Sequence, residues 1–235
     1  MVRATVAVVG VDGCPSGWVA VIEQPSERIR AVVCESFDDL LKDCPGTSVI
    51  AVDIPIGLPE CGPRDCDVEA RQRLGIRRSC VFPAPLRAVL NAQTHREASQ
   101  IRYALEEKRM SCQAFGILKK VREVDRILIQ RPVLQKRLLE VHPELSFAVW
   151  QGQPMLYPKR KADGRAERRR LISDTWPGAV ERCEASIKRR ACGLDDLYDA
   201  FAALWSARRA ASGMAIQLPK STVADACGLL MRIVA

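Results

Sequence analysis

Four aspartates occupy positions where carboxylates from distant parts of the chain can meet. Asp12 and Asp53 each end an apolar, β-branched run, and Asp196 and Asp199 begin an amphipathic segment. At a spacing of i, i+3, the latter two share one face of a helix. A carboxylate at the end of a buried strand is costly to desolvate unless a positive group meets it. Together these oxygens are suited to hard divalent cations such as Mg²⁺ or Mn²⁺, the arrangement used in two-metal phosphodiester chemistry.

Each aspartate also has a plainer interpretation. Asp12 and Asp53 could simply form turns, since aspartate favours such positions. Asp196 could serve only the helix dipole, which is worth roughly 0.3–1 kcal/mol. Asp199 lies further into the helix, where that explanation weakens. We predict Asp12, Asp53 and Asp199 as metal ligands and catalytic residues, with Asp196 as an assisting catalytic carboxylate.

A second titratable group lies near position 140. If Arg137–Val141 is a strand, Glu140, His142 and Glu144 share one side of it for as long as the chain stays extended. Pro143 makes that geometry doubtful beyond the histidine. A histidine between carboxylates can shuttle protons or position a water molecule. The alternative is a core histidine, and the sequence favours neither. Glu140 and His142 are therefore candidate catalytic residues.

Two arginines and two lysines are candidate substrate ligands. Arg64 and Arg71, with Asp67 between them, have the spacing of a surface ion ladder on a helix, which would be worth little energy. Alternatively, both guanidinium groups grip phosphate, to which they offer a bidentate fork. Lys159 and Lys161 open a basic segment that extends to position 170. Such a segment is more often a solvated face, but beside an acidic metal centre it would supply phosphate contacts.

The composition is that of a basic protein with an ordinary core. The chain has 235 residues and a net charge of +8, which suits a polyanionic partner, although a merely basic surface is the alternative. Its ten cysteines are scattered and include no Cys-x-x-Cys pair, so we expect reduced thiols rather than a zinc site. Met1–Thr5 lacks a secretory pattern, and no run approaches the roughly 20 apolar residues of a membrane span. We expect a cytoplasmic protein that is not bound to a membrane.

The apolar pattern predicts the elements that must position these residues. The predicted strands are Thr5–Val11, Trp18–Ile22, Ile29–Cys34, Ser48–Asp53, Arg137–Val141 and a last one around Met214–Ile216. The predicted helices include Phe37–Lys42, with Ser36 as N-cap, and Gly193–Ser212.

The order of these elements indicates a fold class. Short turns between the first three strands favour an antiparallel meander, and the following helix is a crossover that makes the fourth strand parallel to the first. This is the opening of the ribonuclease H-like α/β fold, a mixed five-stranded sheet flanked by helices. We expect one such domain over residues 1–235, with a helical insertion at about 57–132.

Six segments, in order along most of the chain, carry a family resemblance. They are Gly10-Val11-Asp12-Gly13-Cys14-Pro15-x-Gly17-Trp18, Asp53-Ile54-Pro55-Ile56-Gly57-Leu58, Arg64-x-Cys66-Asp67-x-x-Ala70-Arg71, Val81-Phe82-Pro83-Ala84-Pro85, Glu140-Val141-His142-Pro143-Glu144-Leu145-Ser146-Phe147 and Asp195-Asp196-x-x-Asp199-Ala200. With them the chain resembles the DUF429 family of predicted ribonuclease H-like nucleases. The resemblance implies that fold, and it implies nuclease activity as the family's own prediction.

A more distant likeness concerns chemistry. Asp196-x-x-Asp199-Ala200 is similar to the last part of the active site in Holliday-junction resolvases of the same fold. Those enzymes pair it with a first-strand aspartate and a fourth-strand glutamate, where this chain has Asp53, one methylene shorter.

These patterns lead to a ranked set of functions. We expect a metal-dependent nuclease that uses Mg²⁺ or Mn²⁺ and has DNA or RNA as its partner. A non-catalytic nucleic-acid-binding protein on the same scaffold is the alternative, and a site for a nucleotide or small phosphate ester ranks last. The helical insertion could form a dimer interface, so a homodimer is a further possibility.

Overall fold

The computed structural model describes residues 6–25, 28–44, 46 and 48–235. Its strands are β1 (Val8–Cys14), β2 (Gly17–Glu23), β3 (Arg30–Cys34), β4 (Val49–Val52), β5 (Leu138–Glu140), β6 (Gln217–Ala224) and β7 (Leu230–Val234). Its α-helices are α1 (Phe37–Asp43), α2 (Asp65–Leu74), α3 (His95–Glu106), α4 (Cys112–Gly116), α5 (Leu118–Gln130), α6 (Pro143–Gln151), α7 (Ala162–Thr175), α8 (Ala179–Ser186) and α9 (Leu194–Ala211). Short 3-10 helices cover Gly75–Cys80, Arg87–Val89 and Pro132–Lys136.

The chain forms two compact units. The first unit comprises Met1–Asp53, Lys136–Ile216 and Val234–Ala235, and the second unit comprises Ile54–Gln135 and Gln217–Ile233. The predicted helical insertion at about 57–132 lies within the second unit. That the whole chain acts as one domain stays a prediction.

The first unit contains a mixed five-stranded sheet in the order β3-β2-β1-β4-β5. Strands β1, β2 and β3 form the predicted antiparallel meander. Strand β4 is parallel to β1, and β5 is parallel to β4. Helices flank this sheet, so the predicted α/β class is confirmed and the topology is consistent with a ribonuclease H-like fold.

The first strand differs in its bounds from the prediction. It continues through Asp12 to Cys14, which pairs with Gly17 at the start of β2. The interval between the first two predicted strands, residues 12–17, is therefore longer than the actual connection, which has only two residues. Gly17 has a φ of 127°, which favours glycine, and permits this tight connection. Thr5, the first residue of the predicted strand, lies outside the described residues.

Helix α1 begins where the sequence predicts. The Ser36 hydroxyl accepts a hydrogen bond from the Asp39 backbone N–H at 3.1 Å, so Ser36 is the N-cap. Phe37 and Leu40 are its buried residues, and Phe37 packs edge-on against Trp18. This short helix, which connects β3 to β4 along the chain, therefore contributes an apolar face to the core.

Helix α9 packs across the centre of the sheet, against β1, β2 and β4. Leu197, Phe201 and Leu204, which share the predicted apolar face, are completely buried. A Cβ on Gly10 of β1 would lie 2.1 Å from the Ala200 carbonyl oxygen. The missing side chain at position 10 is therefore what allows the helix to approach the central strand so closely.

The second unit combines helices α2–α5 with the hairpin β6–β7. The strand predicted around Met214–Ile216 is wrong, because the strand begins at Gln217 and pairs with β7 in a separate two-stranded sheet. The Met214 backbone N–H instead donates to the Arg209 carbonyl at 2.8 Å, which ties Met214 to the end of α9. Among the described residues, no helix combines the length and apolar character that a membrane crossing requires.

Candidate metal centre

The strand register places Asp12 and Asp53 side by side. Val11 lies opposite Val52 in the parallel pair β1–β4, and the Asp53 backbone N–H donates to the Val11 carbonyl at 3.0 Å. Side chains alternate between the faces of a sheet, so both aspartates point to the face that also contains Gly10. This is the face covered by α9.

Helix α9 adds the third carboxylate. Asp199 directly precedes Ala200, whose backbone meets Gly10, and its side chain is 1% exposed. Each of the three aspartates offers a carboxylate oxygen, and these oxygens all lie within 4.8 Å of one another. Asp12, Asp53 and Asp199, here named the acidic triad, are thus brought together as the sequence predicted.

Burial raises the pKa of all three acids, and repulsion by other members of the triad adds to the rise at Asp12 and Asp53. Burial, followed by the charges of Asp53 and Asp199, raises the pKa of Asp12 well above its ordinary value. Burial and then Asp199 raise the pKa of Asp53 to about 7. Burial also raises the pKa of Asp199. The fully ionised triad is therefore costly unless a cation compensates it.

Lys159 supplies part of that compensation. Its ammonium group donates a hydrogen bond to Asp199 Oδ2, and the pKa of Lys159 is raised, chiefly by the charge of Asp199. The lysine side chain is 36% exposed, whereas the aspartate is buried. A residue predicted to bind substrate thus contacts the acidic triad itself.

The donor set fits a hard divalent cation. All three ligands are carboxylates, which such ions prefer. Among the described residues, Asp199 Oδ1 is buried and has no hydrogen-bond partner. The Gly13 backbone N–H donates to Asp12 Oδ1 at 2.6 Å, which orients that carboxylate. The acidic triad could therefore hold a metal ion.

Asp196 lies in the first turn of α9, close enough to the triad for its charge to contribute to the raised pKa of Asp12. Its Oδ2 accepts a hydrogen bond from the Gly193 backbone N–H at 3.1 Å, at the beginning of α9. It contributes no ligand atom to the acidic triad. The structure supports the capping interpretation of Asp196, because the carboxylate is directed back towards the helix start.

Glu140 and His142 are not brought to the acidic triad. Glu140 lies opposite Val52, so it points to the face of the sheet away from Asp53. The chain does not stay extended as far as Glu144, because Pro143 begins helix α6. Proline suits the first position of a helix. His142 is the half-buried residue before that helix, and its carbonyl accepts the Ser146 backbone N–H at 2.9 Å.

A buried ion pair beside the triad was not predicted. Arg168 has no exposed surface and donates to the carboxylate of Glu144. The charge of Glu144 contributes to the raised pKa of Asp53, and Arg168 opposes the rise at Asp199. Arg168 also donates to the Gly164 carbonyl, one helical turn earlier, at 2.8 Å. That i, i+4 spacing is the only feature of the sequence that could have indicated a buried arginine here. A run of seven basic residues from Lys159 to Arg170 conceals that signal.

Arg64 and Arg71 belong to the second unit, and both guanidinium groups make hydrogen bonds within it. Arg64 is buried, binds both carboxylate oxygens of Asp67, and donates to the carbonyls of Ile56 and Gly57. Arg71 is half-buried and donates to the Val81 carbonyl at 2.6 Å. Arg64 and Asp67 form an internal pair, so the alternative of a surface ion ladder does not apply to them, and phosphate binding by Arg64 and Arg71 stays a prediction. Of the predicted phosphate ligands, Lys161 is exposed at the start of α7.

Comparisons with known proteins identify a family. Neither a search of curated proteins nor a search of solved structures found a match to this chain. A family model described as "Protein of unknown function (DUF429)" matches residues 10–223. The match includes all three residues of the acidic triad. Since it covers most of the chain, this protein belongs to the DUF429 family.

Proposed function

We propose that this protein is a metal-dependent phosphodiester hydrolase, a nuclease that uses Mg²⁺ or Mn²⁺. The acidic triad carries the proposal, because its three carboxylates, two buried and one half-buried, offer oxygens within 4.8 Å of one another. An all-oxygen site of this kind favours Mg²⁺ or Mn²⁺ over softer metals. Bound divalent ions supply water activation and neutralisation of the charge that develops on the phosphate.

The residues of the site have distinct roles in that chemistry. Asp12, Asp53 and Asp199 hold the ions, and Asp199 offers an oxygen that no protein group occupies among the described residues. Lys159 neutralises Asp199 in the metal-free protein. With a divalent ion bound to the triad, the Lys159 ammonium group would be available to a phosphate oxygen.

A non-catalytic nucleic-acid-binding protein is the second candidate. The ion pair between Lys159 and Asp199 favours it, because an internal cation already satisfies one ligand of the triad. This candidate predicts salt-sensitive binding of nucleic acid that does not depend on divalent ions. The net charge of +8 supports both candidates equally.

Titration with Mn²⁺ and Mg²⁺ of the wild type, Asp12→Asn and Asp195→Asn tests the proposal. The asparagine at position 12 keeps an oxygen for the Gly13 N–H and removes one buried negative charge. We expect Asp12→Asn to lose metal binding and metal-dependent cleavage of DNA or RNA. Its melting temperature in EDTA should equal or exceed that of the wild type, because repulsion within the triad is relieved. Asp195→Asn, on the same helix but outside the triad, should resemble the wild type.

Two results would contradict the proposal. One is full cleavage activity in purified Asp12→Asn. The other is nucleic-acid binding by the wild type with neither metal binding nor cleavage, which would support the non-catalytic candidate.

A further inference from the structure

We propose that the loop Leu156–Lys161, here named the 156–161 loop, binds a single strand of nucleic acid beside the acidic triad. This inference rests on the proposed function, because it assigns the substrate-binding surface of the same site. The loop lies between α6 and α7 in the first unit. Three features support the assignment: how the loop is held, what it exposes, and which residue connects it to the triad.

The loop is held by helix α7. The Glu167 carboxylate accepts hydrogen bonds from the backbone N–H groups of Leu156 and Tyr157 at 3.0 and 3.2 Å. The buried Arg168 donates to the Tyr157 carbonyl at 3.1 Å. A Cβ on Gly164 would lie 2.1 Å from the Pro158 carbonyl oxygen, so the loop lies directly against the helix. These contacts tie the loop backbone to α7.

The side chains of this loop are nevertheless exposed. Tyr157 is 47% exposed and Leu156 is 64% exposed, although both are large and apolar. Arg160 and Lys161 extend the same loop, and neither side chain has an ion-pair partner in the described part of the chain. A short loop that exposes an aromatic ring and two unpaired cations within five residues matches the chemistry of a single nucleic-acid strand, whose bases stack on aromatics and whose phosphates bind cations.

Lys159 connects this surface to the triad. It lies in the middle of the loop, and its ammonium group binds Asp199. A strand bound to Tyr157, Arg160 and Lys161 therefore lies next to the carboxylates that we propose hold the metal. A duplex fits this surface less well, because its bases are already stacked on each other and are unavailable to the tyrosine ring.

The test measures binding of fluorescent oligothymidylate and oligouridylate of about 12 nucleotides, a length within the range that single-strand sites cover. Measurements in EDTA separate binding from cleavage. We expect Tyr157→Ala to weaken binding about tenfold, and Tyr157→Phe to retain it, because phenylalanine preserves the stacking face. Tyr103→Ala is the matched control, since Tyr103 is similarly exposed at 52% but lies in the second unit. Arg160→Ala and Lys161→Ala should each reduce the slope of log affinity against log salt by about 0.7.

The outcomes separate this inference from the proposed function. If Tyr157→Ala binds like the wild type, or if duplex is bound more tightly than single strands, the inference is overturned. It is also overturned if the wild type binds no oligonucleotide at low salt, even where Mn²⁺ binds the triad. If Tyr157 and Lys161 contribute to binding but no metal is bound and nothing is cleaved, the loop inference stands and the nuclease proposal fails.

Discussion

Burial and the neighbouring Asp199 raise the pKa of Asp53 to about 7, so this carboxyl group ionises near neutral pH. A metal ion binds the ionised form and must displace the proton from the neutral form. The affinity for Mn²⁺ should therefore rise with pH, by about tenfold between pH 6 and pH 8 for one such group. Calorimetry at both pH values, in two buffers of different ionisation enthalpy, measures the affinity and the released protons.

The same measurement shows whether the triad is perturbed as described. Release of about one proton per bound ion near pH 6.5, falling towards pH 8, is expected from the raised pKa of Asp53. A constant affinity and no proton release would contradict a raised pKa at this carboxyl group.

Lys159 gives a second prediction at the residue scale. Lys159→Met removes the cation that competes for Asp199, so Mn²⁺ should bind several-fold more tightly. The metal-free protein should lose about 1–3 kcal/mol, less than a fully buried pair, because the lysine is 36% exposed. Thermal melting in EDTA and then with Mn²⁺ measures both effects. Lys161→Met serves as the control, and weaker Mn²⁺ binding in Lys159→Met would argue that the lysine supports the site rather than competes for it.

The triad was predictable from the sequence, whereas the roles of its neighbours were not. The spacing of Asp196 and Asp199 places both on one face of α9 and does not distinguish their roles. Only the folded turn before α9 shows that Asp196 accepts a hydrogen bond from the Gly193 N–H. From the sequence alone, Arg64 is a charged residue that could bind phosphate. In the folded protein it is buried and donates to the carbonyls of Ile56 and Gly57. Partners that come from the folded backbone leave no trace in residue spacing, so these assignments could not be made beforehand.

At the scale of elements, the contact between α9 and β1 holds the triad together. A methyl group at position 10 would meet the Leu204 backbone nitrogen at 2.0 Å and the Ala200 carbonyl at 2.1 Å. Gly10→Ala should therefore displace the helix, cost about 3 kcal/mol or more, and abolish metal binding, because Asp199 moves with it. Chemical denaturation and Mn²⁺ titration measure the two effects.

A glycine in open space provides the control for that variant. Apart from its two chain neighbours, no atom of the described residues lies within 4 Å of the position that a Cβ on Gly46 would take, so Gly46→Ala should leave stability and metal binding unchanged. Normal stability in Gly10→Ala would mean that α9 does not approach β1 as closely as described.

The pair formed by α6 and α7 yields a further prediction. Arg168→Met leaves the buried Glu144 without its counter-charge, which typically costs about 3–5 kcal/mol. The double variant Glu144→Gln, Arg168→Met should recover part of that loss, because no uncompensated charge remains. Urea unfolding of both single variants and the double variant forms the cycle that isolates the pair. Equal losses in Arg168→Met and the double variant would show that packing, not charge, is what Arg168 contributes.

The elements themselves were largely predictable. Strands β1 to β5, helix α1 with its Ser36 cap and the long helix α9 all follow from apolar periodicity and capping residues. The hairpin β6–β7 did not, because β6 alternates weakly and exposes much of its length, as in Lys220 and Ser221. A strand that buries few side chains carries little apolar pattern from which it could be predicted.

At the scale of the whole molecule, the reactivity of the ten cysteines tests which parts of the chain are buried. All ten are free thiols, and Cys61, Cys112 and Cys227 are the exposed ones. Burial raises the pKa of Cys44 to about 12 and that of Cys183 to about 11, which further suppresses their reaction. Brief alkylation of the native protein should therefore modify three sites, and alkylation in denaturant should modify all ten. Peptide mass spectrometry identifies the sites, and rapid native labelling at Cys14 or Cys192, which are buried, would contradict the fold of the first unit.

The three carboxylates of the triad come from positions 12, 53 and 199, which span most of the chain. A ribosome that adds about 5–20 residues each second reaches the last of them many seconds after the first. During that interval Asp12 and Asp53 have no α9 to complete their site. The acidic triad therefore forms only after position 199 has been synthesised, and a chain that ends before that position cannot assemble it.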